Sequence, residues 1–133
     1  MVKEKRMRSI VSNYFKSKGY NCIFEVPILD RKVDIIAFRE NELISVELKV
    51  QDWKRALEQA LTCKIWSDYV YIAFWHEFLP KDLSIFETYK IGIISTGLKN
   101  TEEKLKPSVS KLIHKSLYSK IKENVEFGSH LSY

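Results

Sequence analysis

The sequence predicts an α/β domain with a mixed central β-sheet flanked by helices. Segments whose apolar residues recur with helical spacing alternate with short apolar, β-branched segments typical of strands. One helical segment also lies between two strand segments, at residues 43–50 and 69–74. Such units have parallel strands and a right-handed crossover in nearly all cases. The predicted order is therefore α-β-β-β-α-β, then a short helix, a strand and a C-terminal helix.

Composition favours a globular protein with an anionic partner. The chain has 133 residues, 45% hydrophobic and 29% charged, which suits one domain with a real hydrophobic core. The net charge of +5 favours an anionic partner, and nucleic acid is the commonest candidate. We expect a single domain over residues 1–133, with a core at about 3–96 and a basic helix at about 107–125.

The two cysteines and the apolar runs bear on the cellular compartment. Cys22 and Cys63 lie in apolar stretches and lack the paired spacing of a zinc site. The N-terminal residues are charged, and no apolar run approaches the roughly 18 residues of a membrane span. We expect a cytoplasmic, reducing environment, buried thiols and no membrane partner.

The first two elements follow from periodicity. Residues 3–18 carry an apolar helical stripe, and Gly19 is suited to end that helix. Residues 21–29 alternate as a strand, and Pro27 predicts that this strand lies at a sheet edge, because proline has no N–H to donate.

Residues 33–50, VDIIAFRENELISVELKV, predict a hairpin with charges inside apolar arms. The charged residues are Asp34 in the first arm and Glu47 and Lys49 in the second. Charges inside such runs are costly unless they have a partner or a function. The two-residue period of a strand places Glu47 and Lys49 on one face.

The register of the hairpin depends on its turn within residues 39–42. A loop of residues 40–41, or of all four residues, places Asp34 opposite Glu47. A loop of residues 41–42 places Asp34 opposite Lys49. Each of these registers puts the three side chains on one face, with directly opposed Cβ atoms about 5 Å apart. A three-residue loop would break the alignment.

The rest of the chain supplies the flanking elements. Residues 51–66 predict a helix with Asp52 as its N-cap, and residues 69–74, YVYIAF, a strand buried on both faces. The remaining predictions are a loop with a short helix at 75–88, a strand at 89–95, a charged linker at 98–106, a last helix from Pro107 or Ser108, and core positions for Trp53, Trp66 and Trp75.

The three charged residues of the hairpin match the needs of phosphodiester hydrolysis. The reaction needs a nucleophilic water and a stabilised leaving oxygen, and Mg²⁺ held by carboxylates supplies both. A lysine on the same face can orient the water and stabilise transition-state charge. Asp34, Glu47 and Lys49 fit this description if the register holds.

Asp34, followed thirteen residues later by Glu47-Leu48-Lys49, lies between two amphipathic helices. This arrangement, over about residues 3–95, resembles the PD-(D/E)XK nuclease superfamily, which includes restriction endonucleases and archaeal Holliday-junction resolvases. The resemblance implies a restriction endonuclease-like core. One departure is Val33, where the family often has proline before the acid.

The resemblance also implies roles for residues. The positions matching Asp34 and Glu47 bind Mg²⁺ in the family, with the backbone carbonyl matching that of Leu48, and the position matching Lys49 assists the water. Glu4 matches an acid that many members carry on the first helix. It also fits a first-turn acid that interacts with the helix dipole.

Gln59 matches a polar residue on the helix after the motif in many family members, and it equally fits an ordinary surface position. The implied function is a Mg²⁺-dependent endonuclease that hydrolyses DNA, with Mn²⁺ as a substitute and no other cofactor. A homodimer is expected, because one site cuts one strand and two sites cut two. The residues expected to contact phosphates are Lys54, Arg55, Lys111 and Lys115.

Two other interpretations stay open. One is a catalytically inactive nuclease-fold module that binds nucleic acid or a partner protein. The other is an unrelated α/β domain in which Glu47 and Lys49 form a structural pair. The form of the substrate, whether duplex, single strand, flap, junction or RNA, is also open.

Overall fold

A computed structural model describes residues 4–49 and 51–129, with side chains for 4–49 and 51–126. It shows an α/β fold with one mixed sheet of six strands in the order β1-β2-β3-β4-β5-β6, flanked by helices. The elements are α1 (Glu4–Ser17), β1 (Asn21–Ile28), β2 (Arg31–Arg39), β3 (Glu42–Lys49), α2 (Trp53–Cys63), β4 (Tyr69–Trp75), a 3₁₀ turn (His76–Phe78), α3 (Ser84–Thr88), β5 (Gly92–Thr96), β6 (Thr101–Leu105) and α4 (Lys115–Ser129).

The directions of the strands define two edges of the sheet. Strands β1, β2 and β3 form an antiparallel meander, β3, β4 and β5 are parallel, and β6 returns antiparallel to β5. The parallel strands therefore end together at Lys49, Trp75 and Thr96, and we call this side the carboxyl edge. The opposite side, where β3 begins at Glu42 and β4 at Tyr69, is the amino edge. The predicted crossover from β3 through α2 to a parallel β4 is confirmed, and Pro27 lies in the edge strand β1 as predicted.

Helix α1 covers one face of the sheet with its apolar stripe. Met7, Val11 and Phe15 are fully buried in this stripe. The helix ends before Gly19, which has a φ of 93° and is therefore in a conformation that strains other residues. Arg39, at the hairpin turn, donates a hydrogen bond to the carbonyl of the residue before Gly19, at 3.2 Å. The C-terminus of α1 therefore lies at the amino edge, and its first turn lies at the carboxyl edge.

The opposite face of the sheet is covered by α2, α3 and α4. Trp66 lies in this second core and is fully buried, as predicted. Trp75 is also buried, on the α1 side, whereas Trp53 is only partly buried and packs edge-on against Phe86 with ring centroids 5.8 Å apart. The predicted N-cap of α2 is confirmed, since the Asp52 carboxylate accepts a hydrogen bond from a backbone N–H of the first turn.

The prediction of a linker at residues 98–106 is wrong. Thr101–Leu105 forms β6, with alternate residues exposed. Its sequence, TEEKL, carries three charges, because an edge strand with one solvated face does not need an apolar pattern on that face.

The predicted start of the last helix is also wrong. The N–H of Ser110 donates to the carbonyl of Asp68 at 2.7 Å, and the N–H of His114 donates to that of Ile65 at 2.8 Å. These bonds hold residues 108–114 in an irregular path against the loop before β4. The helix α4 therefore begins at Lys115, and Lys111 lies outside it.

The helices and the two cysteines can be compared with the expectations from the sequence. None of the helices within residues 4–49 and 51–129 has the length and apolar character that crossing a bilayer requires. Cys63 is a buried free thiol, as predicted, and Cys22 is a half-buried one.

Candidate active site

The β2–β3 hairpin has the register in which residues 40–41 form the turn. Arg39 lies directly opposite Glu42, and the same register holds as far as Ile35 opposite Val46. One step further along both strands, Asp34 comes opposite Glu47 at the carboxyl edge. The first of the three predicted registers is therefore the observed one.

Asp34 is held beside the end of β3 by a backbone hydrogen bond. Its Oδ2 accepts from the N–H of Leu48 at 2.8 Å. This bond lies beyond the last residue pair of the ladder between β2 and β3, so the side chain replaces a strand-to-strand bond. A charge-assisted bond of this kind orients the carboxylate toward β3 and toward Glu47.

Glu47 is the most deeply placed acid of the site. Its side chain is 2% exposed and lies under α2, where it accepts hydrogen bonds from the guanidinium of Arg31 and from the Cys63 thiol, the latter at 3.7 Å. Burial, followed by the charge of Asp34 and a hydrogen-bonding contact with it, raises the pKa of Glu47 to about 7. Arg31 and Lys49 act in the opposite direction.

Glu4 and Lys49 belong to the same electrostatic cluster. Burial and the charge of Asp34 raise the pKa of Glu4, and the charge of Lys49 lowers it. The N-terminus of α1 therefore brings Glu4 to the carboxyl edge, next to residues from β2 and β3. We call Glu4, Asp34, Glu47 and Lys49 the acid–lysine cluster. Its members come from α1, β2 and β3, a helix and two strands that the sequence predicted in this order along the chain.

Gln59 lies one turn before Cys63 on the face of α2 above Glu47. Its backbone carbonyl accepts a hydrogen bond from Arg31 at 2.7 Å. Its side-chain Oε1 is buried, with no donor among the described residues. A buried oxygen without a donor is rare in folded proteins, and ligands or water often supply one at functional sites.

Arg31 is the site residue that sequence reasoning missed. The sequence placed it in a turn, whereas it is the first residue of β2 and bonds to Glu47. One signal could have identified it. Asp34 and Glu47 make two acids on facing apolar strands, with only Lys49 to balance them, so another cation near the start of β2 was to be expected.

The residues predicted to contact phosphates fall into two groups. Lys54 and Arg55 are exposed in the first turn of α2, close to the end of β3 and the acid–lysine cluster. Lys111 and Lys115 belong to the segment that is hydrogen-bonded to the loop before β4, so they lie at the amino edge. Because α2 rises about 1.5 Å per residue over 11 residues, the two groups are separated by roughly the length of this helix, about 16 Å.

The donors of the cluster suit a divalent cation in type, but they do not close around one point. Carboxylate and amide oxygens are the ligands that Mg²⁺ prefers. Among the described residues, however, no three His, Cys, Asp or Glu side chains are arranged to hold a metal ion. The carboxylate of Glu47 is directed to the guanidinium of Arg31.

Comparison with known proteins gives a likeness in fold. No family model matches the chain. No curated protein matches its sequence. Among solved structures, the SPO1766 protein of unknown function from Silicibacter pomeroyi superposes with a TM-score of 0.68 and 18% identity, over 92% of this chain and 81% of that one. The two share a fold. SfsA from Pyrococcus furiosus, solved in complex with Ca²⁺, has a TM-score of 0.45 and 12% identity, over 83% of this chain and 65% of its own.

The raised pKa of Glu47 makes stability depend on pH in the metal-free protein. The folded pKa of about 7 lies above the ordinary value of 4.5, so the native state retains a proton that the unfolded chain loses. The stabilisation is complete below the unfolded pKa and is lost as the pH rises through 7. We expect the free energy of unfolding of the wild type, relative to Glu47→Gln, to fall by about 3 kcal/mol between pH 4.5 and 8.

Urea denaturation of both proteins across this pH range measures the difference, and titrating groups that do not interact with Glu47 cancel in it. A difference that does not change with pH would show that folding leaves the pKa of Glu47 at its ordinary value.

Proposed function

We propose that the chain is a Mg²⁺-dependent endonuclease of the PD-(D/E)XK type that hydrolyses DNA phosphodiester bonds. In this proposal, residues 1–133 form one nuclease-like domain with a restriction endonuclease-like core. The observation that carries the proposal is the facing pair of acids, Asp34 and Glu47, at the carboxyl edge, with Lys49 and Glu4 in the same cluster.

The acids would hold the metal from two adjacent strands. Burial is the main cause of the raised pKa of Glu47, and the charge of Asp34 is the next, so the two carboxylates repel each other. A divalent cation removes this repulsion, and Asp34, Glu47 and the backbone carbonyl of Leu48 would hold it. Mg²⁺ bound there would polarise both the phosphate and the attacking water.

Lys49 would orient the attacking water and stabilise the negative charge that develops on the phosphate, and Glu4 would exchange a proton. Lys49 follows Glu47 by two residues and is half-buried at the end of β3. Its ammonium group can orient the attacking water and stabilise negative charge on the phosphate. The raised pKa of Glu4 brings its carboxyl closer to the range in which it exchanges protons near neutral pH. Gln59 would assist through its unpaired amide oxygen.

The substrate would lie along the carboxyl edge. Lys54 and Arg55 would bind phosphates next to the scissile one, with an affinity that falls as salt increases. Lys111 and Lys115, at the amino edge, would reach only phosphates of a substrate that passes along α2. A homodimer would bring together the two sites needed to cut both strands, and Mn²⁺ would replace Mg²⁺.

The alternative function is a catalytically inactive module of the same fold that binds nucleic acid. The observation that favours it is the ion pair between Arg31 and Glu47, which engages one of the two acids.

A panel of duplex, single-stranded, flap and four-way-junction DNA, together with RNA, tests the proposal with Mg²⁺, Mn²⁺ or EDTA. We expect cleavage of at least one DNA substrate that EDTA abolishes. Binding of DNA without cleavage under any of these conditions would favour the inactive module.

Lys49→Gln is expected to lower the single-turnover rate by about 10²-fold or more, because it removes the ammonium at the nucleophile. The matched control is Lys54→Gln, an exposed lysine at the same edge. It should raise KM and reduce the salt dependence while leaving kcat within about threefold. Equal effects of the two variants on kcat would contradict the role given to Lys49.

A further inference from the structure

The guanidinium of Arg31 is the cation that Glu47 binds in this structure. Its Nη2 donates to Glu47, and its Nη1 donates to the carbonyl of Gln59 at 2.7 Å and to the Cys63 sulfur at 3.8 Å. The Glu47 side chain is buried, whereas that of Arg31 is 21% exposed. The pair therefore lies at the boundary between the core under α2 and the carboxyl edge.

We propose that Arg31 is a displaceable counter-ion, which holds Glu47 in the metal-free protein and is exchanged for a divalent cation when the site is loaded. The inference rests on the proposed function, because it assumes that the acid–lysine cluster is a metal site. It adds a residue to that site, since nothing in the nuclease motif assigns a role to Arg31.

The first support is that the hydrogen bonding of the pair is incomplete. The Nε of Arg31 is buried without an acceptor, and the Oε1 of neighbouring Gln59 is buried without a donor, among the described residues. An arginine placed only to stabilise the fold would be expected to satisfy its donors, because each buried unpaired group is unfavourable. The two unpaired atoms raise the free energy of this arrangement, and Gln59 Oε1 gains a donor if water enters.

The second support is the balance of charge. Removing the partner of a buried carboxylate is strongly destabilising, so Glu47 in its charged form needs a cation whether or not metal is present. Arg31 supplies one positive charge to a pair of acids, Asp34 and Glu47, whose mutual repulsion persists. A divalent cation supplies two charges to the same pair, so exchange improves the electrostatic balance.

The third support is that Arg31 has a route out of the site. It is the first residue of β2 and directly follows the turn at Leu29 and Asp30, both exposed, with Leu29 at a φ of 56°. Its side chain is already partly exposed. Rotation of the side chain therefore moves the guanidinium into solvent, because it stands at the rim, without disturbing the ladder between β2 and β3.

The exchange predicts that removing the guanidinium strengthens metal binding. The test is calorimetric titration of Mg²⁺ and of Mn²⁺ into wild type, Arg31→Gln and Lys32→Gln, without nucleic acid. Lys32→Gln is the matched control, because it removes one positive charge at the next residue, which is exposed. We expect Arg31→Gln to bind metal about tenfold or more tightly than wild type, and Lys32→Gln to stay within about twofold, because a close charge pair contributes far more than a distant charge.

Thermal unfolding gives a second readout. Metal-free Arg31→Gln should melt below wild type, and saturating metal should raise its Tm by more than it raises that of wild type. If Arg31→Gln does not fold without metal, Arg31→Lys replaces it. This variant keeps a cation but lacks the planar fork of arginine. Its metal affinity should therefore lie between those of wild type and Arg31→Gln.

Each outcome has a distinct meaning. If wild type binds metal and both Arg31 variants bind it equally or more weakly, the exchange is overturned, Arg31 positions Glu47, and the proposed nuclease function stands. If only the Arg31 variants bind metal, the exchange is overturned, because metal does not displace Arg31 in the wild type, and the metal-dependent function of the wild type is lost. If no protein binds metal, both proposals fail.

Discussion

Asp34→Asn is expected to lower metal-dependent cleavage by about 10³-fold or more, which corresponds to about 4 kcal/mol of transition-state stabilisation. The substitution conserves size and keeps an oxygen that accepts the hydrogen bond from the N–H of Leu48, so the hairpin should remain intact. It removes the negative charge that would hold the cation. Single-turnover cleavage with Mg²⁺ and calorimetric titration of the metal measure the two effects.

The control for Asp34→Asn is Asp30→Asn, which removes an equal charge from an exposed turn four residues earlier. Its rate should stay within about twofold of wild type. Asp34→Asn should also lower the pKa of Glu47, because the neighbouring charge is one of the causes that raise it. Wild-type rates and wild-type metal affinity in Asp34→Asn would contradict the proposed metal site.

Trp66→Ala is expected to lower the free energy of unfolding by about 4 kcal/mol, the range typical of large aromatic truncations in a core. Trp66 is completely buried beneath the helical layer, and its indole N–H donates to Ser45 Oγ at 3.1 Å. Ser45 Oγ also shares a hydrogen bond of 2.6 Å with Ser67 Oγ, and all three side chains are buried. Truncation therefore leaves a cavity and removes a donor from a buried polar network.

Urea denaturation with two further variants separates these contributions. Trp66→Phe keeps most of the ring volume and loses the donor, so it should cost about 1–2 kcal/mol. Trp53→Ala removes the same side chain from a partly buried position and should cost less than half as much as Trp66→Ala. If Trp66→Ala lowers the free energy of unfolding no more than Trp53→Ala does, the buried position of Trp66 does not contribute the expected stability.

Local rules were sufficient for the elements that present the acid–lysine cluster. The two-residue period and the polar residues at the turn limited the hairpin to a few registers, and the pairing of Arg39 with Glu42 that the structure shows is one of them. Helical spacing likewise predicted α1, and the N-cap at Asp52 predicted where α2 begins. These features depend on neighbours within a few residues, so the chain carries their signals locally.

Elements that depend on distant partners were not predictable in the same way. Strand β6 forms because it pairs with the edge of β5. The charged residues of β6 give it the composition of a linker. The start of α4 is delayed to Lys115 by backbone bonds from Ser110 and His114 to the loop before β4, more than forty residues earlier. No periodicity within residues 98–114 reports such contacts.

The sequence by itself determined that Glu47 and Lys49 share one face, and that Asp34 joins them if the turn has an even length, because side chains alternate along both strands. Only the tertiary structure decided which cation Glu47 binds. Helix α2 covers the carboxylate, which accepts a hydrogen bond from Cys63 and is buried. In its charged form a carboxylate under such a cover requires a cation, and the start of β2 places the guanidinium of Arg31 within reach.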